Sequence, residues 1–194
     1  MCACGVSART VPGKNDREWL IDGIIECELL MFQAVNNQNG TSVCQERPET
    51  FRLMRWMLFS VMQAEYLESY LTDLKAAEKS GRNLMVEKYA RMDNLIPSVS
   101  EDMDKVRSIA DVEDQWMSEV SAKYPSTFPE NAGMFRRYHS AELETLSLKT
   151  LSLYEVRILE AQDKGENLAR IRYENMAKKI GLPSLDEREA ESCQ

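Results

Sequence analysis

The sequence predicts an all-α protein, a single compact bundle of about six helices. Apolar residues recur at spacings of three and four along most of the 194-residue chain. The eight glycines and six prolines lie mostly at the edges of these segments and leave long unbroken stretches between them. The chain lacks a convincing run of alternating β-branched residues bounded by turns, which is the pattern of a half-buried strand. These three observations together favour helices over a sheet.

The first two helices are predicted from the caps and breakers that flank their apolar segments. Residues 16–39 form the first helix, since a polar residue can cap its start and the run NNQNG ends it at Gly40. Pro48 stands near the start of a second, long helix that reaches about Glu78, because proline fits the first turn of a helix. The run KSGRN then interrupts the chain.

The third and fourth helices are separated by a proline. The third covers about residues 83–96 and ends before Pro97, because a proline ring disfavours helical geometry in the residue ahead of it. Ser98 and Glu101 have the spacing of a capping box, which predicts the start of a fourth helix. Pro125 closes that helix.

The longest irregular stretch is predicted over residues 124–140, which contain two prolines and a glycine. Connections of this kind often carry function, so this one is interpreted as either a lid or a linker. A fifth helix is expected over about residues 141–163 and a sixth over about residues 166–180. Each is followed by a glycine that suits a helix C-terminus.

We expect one helical domain over residues 15–183, since a chain of this length is within the reach of one domain. Residues 1–14 are predicted to form a flexible N-terminal tail, and residues 184–194 an acidic C-terminal tail. The sequence contains no internal repeat and no low-complexity segment that would suggest a different division.

The overall charge argues against some classes of partner. The formal net charge of −8 and the pI of about 4.9 would repel a phosphate backbone, so nucleic acid is not expected as a partner.

The longest strongly apolar run, at residues 56–62, is far shorter than the roughly 20 residues that span a bilayer, so no membrane helix is expected. The N-terminus lacks the apolar stretch of a signal peptide, which predicts a cytoplasmic protein with reduced thiols.

The cysteines do not suggest a disulfide framework, because their number is odd: Cys2, Cys4, Cys27, Cys44 and Cys193. Cys2 and Cys4 form a lone C-x-C with no second close pair to complete a tetrahedral zinc site, so no metal is predicted. Cys44 lies just before the predicted second helix, whose positive end would favour a thiolate. Cys44 is therefore either a reactive thiol or a small apolar side chain packed under the loop.

Charged residues fall among the apolar positions of two predicted helices. Glu28 lies near the middle of the apolar arc of the first helix, and Lys88 lies within that of the third. Because a buried, unpaired charge is costly, each must find a partner, and we hypothesise that Glu28 supplies the anion for Lys88. Glu87 and Arg91 flank Lys88 and give the alternative of an exposed ion pair.

The predicted second helix carries further polar groups among apolar ones. Apolar residues cover every side of its first half, so Arg55 is not expected to lie free in water. Tyr70 and Asp73 lie farther along on a connected polar strip. Inward-facing polar groups within an apolar lining are typical of ligand sites in helical bundles. The alternative is that these charges form structural ion pairs that fix the packing of the helices.

The sequence does not match established catalytic templates. His139 is the single histidine, with Glu142 three positions later, whereas carboxylate di-iron sites require Glu-x-x-His on two helices. Neither phosphate-binding glycine motif occurs, and no serine or cysteine stands in a known nucleophile signature. The sequence therefore identifies no cofactor.

Three extended segments resemble an uncharacterised bacterial family, domain of unknown function 4125. They are IIECELLMFQAVNNQNGTSVCQERPETF, SYLTDLKAAEKSGRNLMVEKYARM and AELETLSLKTLSLY. The resemblance covers most of the chain and implies a single helical domain, but no activity. It places these residues at positions of the family motifs: Glu28, Cys44, Gln45, Tyr70, Asp73, Arg82, Asn83, Glu87, Lys88, Tyr89, Glu142 and Tyr154.

Two hypotheses of function follow. The first is a helical protein, either a binding protein or an enzyme, that takes a small polar or amphipathic metabolite, with Glu28 as general base or ligand anchor and Lys88 and Tyr89 as its catalytic neighbours. The residues expected to bind the ligand are Arg55, Tyr70, Asp73, Arg82, Asn83, Glu142 and Tyr154. The second is a non-catalytic interaction or scaffold module with structural buried ion pairs, which binds a protein partner or a second copy of itself.

Overall fold

The computed structural model describes residues 16–35, 45–128 and 132–192, and within them every regular element is an α-helix. The all-α class is therefore confirmed. The predicted number of about six helices is wrong, because two predicted helices are each interrupted and a further helix lies near the C-terminus. The described residues form nine: α1 (Asp16–Gln33), α2 (Pro48–Phe59), α3 (Ala64–Lys79), α4 (Leu84–Met92), α5 (Met103–Lys123), α6 (Ala132–Leu143), α7 (Leu148–Asp163), α8 (Leu168–Lys179) and α9 (Leu185–Ser192).

The predicted second helix is two helices, because a side chain from α1 binds the carbonyl groups at the break. Arg17 donates from Nε to the carbonyl of Met62 (2.9 Å) and from Nη2 to the carbonyls of Phe59 (3.0 Å) and Ser60 (2.6 Å). Gln63 has extended backbone angles directly before α3. Because these bonds come from more than 40 positions away, the local sequence gives no signal for the break.

The predicted fifth helix is also two helices, and Asp73 of α3 binds at the break. Ser147 caps α7, and its amide donates to Asp73 Oδ2 (3.1 Å), as does the hydroxyl of Thr150 (2.6 Å). The carboxylate therefore lies at the positive end of α7, where it is favourable. The irregular connection predicted over residues 124–140 is shorter than expected, since α6 already begins at Ala132.

The N-terminus of α4 is tied to α1 by one residue. The side-chain oxygen of Asn83 accepts hydrogen bonds from the amides of Met85 and Val86, each at 3.0 Å. Its side-chain amide donates to the carbonyl of Met31 in α1 (2.9 Å). Asn83 therefore acts as an N-cap and as a bridge between two helices.

The capping box predicted from Ser98 and Glu101 is wrong. Asp102 caps α5 instead, and its carboxylate accepts a hydrogen bond from the amide of Lys105 (2.9 Å). A carboxylate at this position satisfies a free amide and also complements the positive end of the helix, which a serine hydroxyl does less strongly.

The helices pack in two groups. In the first, α1 packs against α2, α3 and α4; in the second, α5 packs against α6, α7 and α8. The groups meet where α2 packs on α8, α3 on α7 and α4 on α6, and α9 packs on α8. Leu185 of α9, in the predicted acidic tail, is fully buried. Every helix in the described part of the chain is too short or too polar to cross a membrane.

Candidate functional site

Side chains from five helices form a buried charge network between the two helix groups. The guanidinium of Arg55 donates to both carboxylate oxygens of Glu28, with Nε at 2.6 Å from Oε2, and to both of Glu142, at 2.9 and 3.0 Å. The hydroxyl of Tyr70 donates to Glu28 Oε1 (2.7 Å), and the ammonium of Lys88 donates to Glu142 Oε2. We call this set the first network: Glu28, Arg55, Tyr70, Lys88 and Glu142.

The buried positions predicted for Glu28 and Lys88 are confirmed, but the predicted pairing of the two is wrong. Their exposed fractions are 0% and 1%. Lys88 binds Glu142 of α6, while Glu28 binds Arg55 of α2. The ammonium of Lys88 also lies 3.5 Å from the ring centroid of Tyr138, a cation–π contact. Because α4 packs against both α1 and α6, the helical pattern of α4 alone did not reveal which helix supplies the anion.

The charges of the first network are matched within it. Burial alone would raise the pKa of Glu142, but the cations Arg55 and Lys88 outweigh burial and hold that pKa well below its ordinary value. Burial raises the pKa of Glu28; Arg55 and the hydroxyl of Tyr70 lower that pKa only in part, and the charge of Glu142 adds to the rise. Two carboxylates thus face two cations. This arrangement links side chains of five helices and leaves no excess charge for a ligand.

A second network lies in the α5 group. The guanidinium of Arg172 donates to both carboxylate oxygens of Glu113, at 2.6 and 2.7 Å, and to the hydroxyl of Tyr154 (2.9 Å), which itself donates to Glu113 Oε1 (2.7 Å). The His139 ring nitrogen Nε2 lies 3.5 Å from the same hydroxyl. We call this set the second network: Glu113, His139, Tyr154 and Arg172.

Of the second network, only Tyr154 was among the candidate site residues predicted from the sequence. The missed signal was of the kind that singled out Glu28: Glu113 falls on the buried arc of α5, one turn after Ile109 and Ala110. Burial would raise the pKa of Glu113, but the charge of Arg172 outweighs it and lowers that pKa. The second network is therefore also a paired, buried ion set.

Aromatic rings and α6 connect the two networks. The ring of Tyr66 lies 6.1 Å from that of Tyr70 and 5.5 Å from that of Tyr154, edge-on to the latter. On α6, His139 belongs to the second network and Glu142 to the first, one helical turn apart. The polar groups of the core thus form one connected framework, which fixes how the two groups of helices pack.

The buried state of His139 predicts a dependence of stability on pH. Burial lowers the pKa of His139 below its ordinary value of 6.5, and Glu113 opposes this only in part. The unfolded chain takes up the proton first on acidification, so this contribution to stability is complete above about pH 6.5 and is lost as the pH falls below it. We expect the free energy of unfolding, measured by urea denaturation, to decrease from pH 7 to pH 5.5.

Two measurements check the origin of that decrease. His139 is the only histidine in the chain, so its imidazole signals give its pKa directly in an NMR titration. In a His139→Gln variant, the free energy of unfolding should decrease less between pH 7 and pH 5.5 than it does in the wild type. An imidazole that titrates at or above 6.5 in the folded protein would contradict the assignment.

An open cleft lies at the C-terminal end of α3, next to the turn between α6 and α7. We call it the first cleft; its volume is about 300 Å³. Its lining includes the polar residues Asp73 and Arg82, two of the predicted ligand-binding residues, and the apolar residues Leu84 and Leu146. Its remaining lining residues are Ala76, Ala77, Ser80, Val99, Glu101, Glu144, Thr145, Ser147 and Leu148.

Two charged side chains that line the first cleft form ion pairs with residues outside it. Arg82 donates to both carboxylate oxygens of Glu87, at 2.8 and 2.7 Å. Glu144 accepts from Arg91 at 2.7 and 3.0 Å; burial alone would raise the pKa of Glu144, but these hydrogen bonds outweigh burial and lower it. The side chain of Arg82 is still half exposed, so part of its guanidinium remains available to a ligand.

The remaining candidate residues that the structure describes belong to neither network and do not line the first cleft. Tyr89 is partly buried, with its ring stacked 5.8 Å from that of Phe32, and Asn83 is the cap of α4. Cys44 lies outside the described residues. Its neighbour Gln45 donates to the carbonyls of Phe32 and Val35, both at 2.9 Å. No group of three or more histidine, cysteine, aspartate or glutamate side chains in the described ranges is arranged to hold a metal ion.

Comparison with known proteins gives one family match. A family model described as a protein of unknown function (DUF4125) matches residues 18–190, which include at least part of every described helix. No curated protein and no solved structure matches the chain.

Proposed function

The chain belongs to the DUF4125 family, and since that family has no assigned activity, we propose from the geometry that the protein binds a small polar ligand in the first cleft. The observation that carries the proposal is the combination of a volume of about 300 Å³ with a lining that is part polar and part apolar. A volume of this size is at the lower end of the range for ligand pockets, which suits a small metabolite.

The polar groups of the first cleft can fix the orientation of a ligand. Arg82 can donate to an acidic or carbonyl group, while Asp73 and Glu101 can accept from an amine or hydroxyl group. Leu148 and Ala76, which are exposed, offer an apolar surface to the carbon skeleton. Glu28, Lys88 and Glu142 do not line this cleft. We therefore interpret the first network as a structural frame and assign no reaction to it.

The matched charges of the first network are the reason for preferring binding over catalysis by Glu28 and Lys88. A general base must reach the proton that it removes, and both oxygens of Glu28 already accept hydrogen bonds inside the core. An enzymatic role would require a substrate that reaches the network or a reaction at the first cleft.

A metabolite-library thermal-shift screen tests the proposal. A compound at about 100 times its Kd should stabilise the protein by about 2.7 kcal/mol, which raises the Tm by about 5 to 10 °C in a chain of this size. Filling the cleft with Ala76→Phe should abolish the shift, because Ala76 lines the cleft and is exposed. Ala122→Phe, at an exposed position of α5 outside the cleft, is the matched control. If the compound raises the Tm of both variants equally, it does not bind in the first cleft.

The second candidate function is a non-catalytic interaction module. It is favoured by exposed apolar side chains on the outer face of α7, Val156 and Leu159, with exposed fractions of 46% and 54%. If no compound shifts the Tm of the wild-type protein while a partner co-purifies and Val156→Ser/Leu159→Ser releases that partner, this function replaces the first.

A further inference from the structure

Arg82, which lines the first cleft, has a guanidinium that is held in place but only partly used. It donates from Nε and Nη2 to the two carboxylate oxygens of Glu87, at 2.8 and 2.7 Å. Within the described residues, its Nη1 donates to no protein acceptor. The two parallel bonds orient the plane of the guanidinium and leave the Nη1 edge for a carboxylate of a ligand. The side chain of Arg82 is 53% exposed, so a ligand can reach that edge.

Asp73, which lines the same cleft, is also held through one edge and left open at the other. Its Oδ2 accepts from the amide of Ser147 (3.1 Å) and from the hydroxyl of Thr150 (2.6 Å). Thr150 is fully buried, so the carboxylate is anchored at the start of α7. Its Oδ1 accepts no hydrogen bond from the residues that the structure describes. One oxygen therefore sets the position of the carboxylate, while the other can accept from a ligand.

The charges of Arg82 and Asp73 act on one another without forming an ion pair. The hydrogen bonds to Glu87 are the largest cause of the raised pKa of Arg82, and the negative charge of Asp73 adds to that rise. The ion pair that Arg82 makes in the described part of the chain is nevertheless with Glu87. A ligand in the cleft that both side chains line can therefore meet a positive and a negative group at once.

We propose that the first cleft binds a free amino acid, an inference that rests on the proposed ligand-binding function and names the class of ligand. The carboxylate of the amino acid accepts from Arg82 Nη1, and its ammonium group donates to Asp73 Oδ1. Its side chain packs on the exposed Leu148 and Ala76. A cleft of about 300 Å³ suits a molecule of this size.

The lining fits ligands of a single charge sign less well. A dicarboxylate would face Asp73 and Glu101, and like charges repel. A simple amine would bind Asp73 but would gain nothing from Arg82, whose charge opposes it. Glu144 changes this balance little, because Arg91 pairs with both of its oxygens at 2.7 and 3.0 Å. A zwitterion gains from Asp73 and from Arg82 together.

A thermal-shift titration with the standard L-amino acids tests the inference. The amino acid that raises the Tm most is then compared by isothermal titration calorimetry with two analogues, the amine that lacks its carboxylate and the acid that lacks its ammonium group. For leucine these are 3-methylbutylamine and 4-methylpentanoate. We expect each analogue to bind the wild type about tenfold more weakly or worse, because a charge-assisted hydrogen bond is lost.

Two variants assign each charge of the ligand to one residue. Arg82→Gln should lower the affinity for the amino acid about tenfold and should not lower that for the matching amine, which has no carboxylate for Arg82 to bind. Asp73→Asn keeps a side-chain oxygen that can accept from Ser147 and Thr150. It should lower the affinity for the amino acid about tenfold and should not lower that for the matching acid.

Arg107→Gln is the matched control, because it removes an arginine from an exposed ion pair with Asp104 outside the cleft. This variant should bind the amino acid as the wild type does. If the matching amine binds as tightly as the amino acid, or if Arg82→Gln and Arg107→Gln weaken binding equally, the inference is overturned.

The outcomes separate this inference from the proposed function. If no standard amino acid raises the Tm, while another compound gives a thermal shift that Ala76→Phe abolishes, the inference falls and the proposed function stands. If neither an amino acid nor any library compound binds, both fall.

Discussion

Replacing Arg55 with methionine is expected to lower the free energy of unfolding by about 3 to 5 kcal/mol. Arg55 is the cation that binds both Glu28 and Glu142 in the core. Without it, Lys88 alone faces two buried carboxylates, and one must be protonated or left unpaired. Urea denaturation at pH 7 measures the change, and part of the loss should be recovered at lower pH as Glu28 takes up a proton.

Arg52→Met on the same helix is the matched control for that prediction. Arg52 pairs with Glu26 and Glu49 at the surface, so its loss should cost no more than about 1 kcal/mol. The comparison separates burial of the ion pair from the general effect of removing an arginine from α2. Equal effects of the two substitutions would contradict the structural role of the first network.

The second large effect is expected from Arg172→Met, which leaves Glu113 buried without its cation. Because Arg172 donates to both oxygens of that carboxylate and to Tyr154, we expect a loss of about 3 to 5 kcal/mol in the free energy of unfolding. Arg170→Met, which removes an exposed ion pair with Asp186, should change it by no more than about 1 kcal/mol.

A double substitution tests whether that loss comes from the stranded charge. Glu113→Leu/Arg172→Met removes both members of the pair and fills their space with apolar atoms. It should be more stable than Arg172→Met alone, because no unpaired carboxylate remains in the core. A double variant as unstable as the sum of its two single variants would show that the residues act independently, against the account of the second network.

The sequence predicted which residues are buried better than it predicted which residues meet. The helical pattern placed Glu28 and Lys88 on apolar faces, and both are buried. The anion that pairs with Lys88 is set by the packing of α6 against α4. Most of α6 falls within residues 124–140, which were predicted to be irregular. A periodic pattern determines the face of a helix but does not determine the neighbour that covers it.

The breaks within two predicted helices could not be found from local signals for the same reason. Arg17 binds the carbonyl groups after α2, and Asp73 binds the amide at the start of α7, so each break is set by a contact between distant segments. The first cleft forms at the second of these breaks. Asp73 and Arg82, two of the residues predicted to bind a ligand, both line this cleft, but the sequence could not show that Glu28 and Lys88 do not line it.

The most direct test of the account is a crystal structure of the protein with the compound that gives the largest thermal shift. We predict density for that compound in the first cleft, between Asp73 and Arg82, with the bonds of Arg55 to Glu28 and Glu142 unchanged. Density that instead displaces Glu142 and contacts Arg55 and Lys88 would contradict the account, because the first network would then be the binding site.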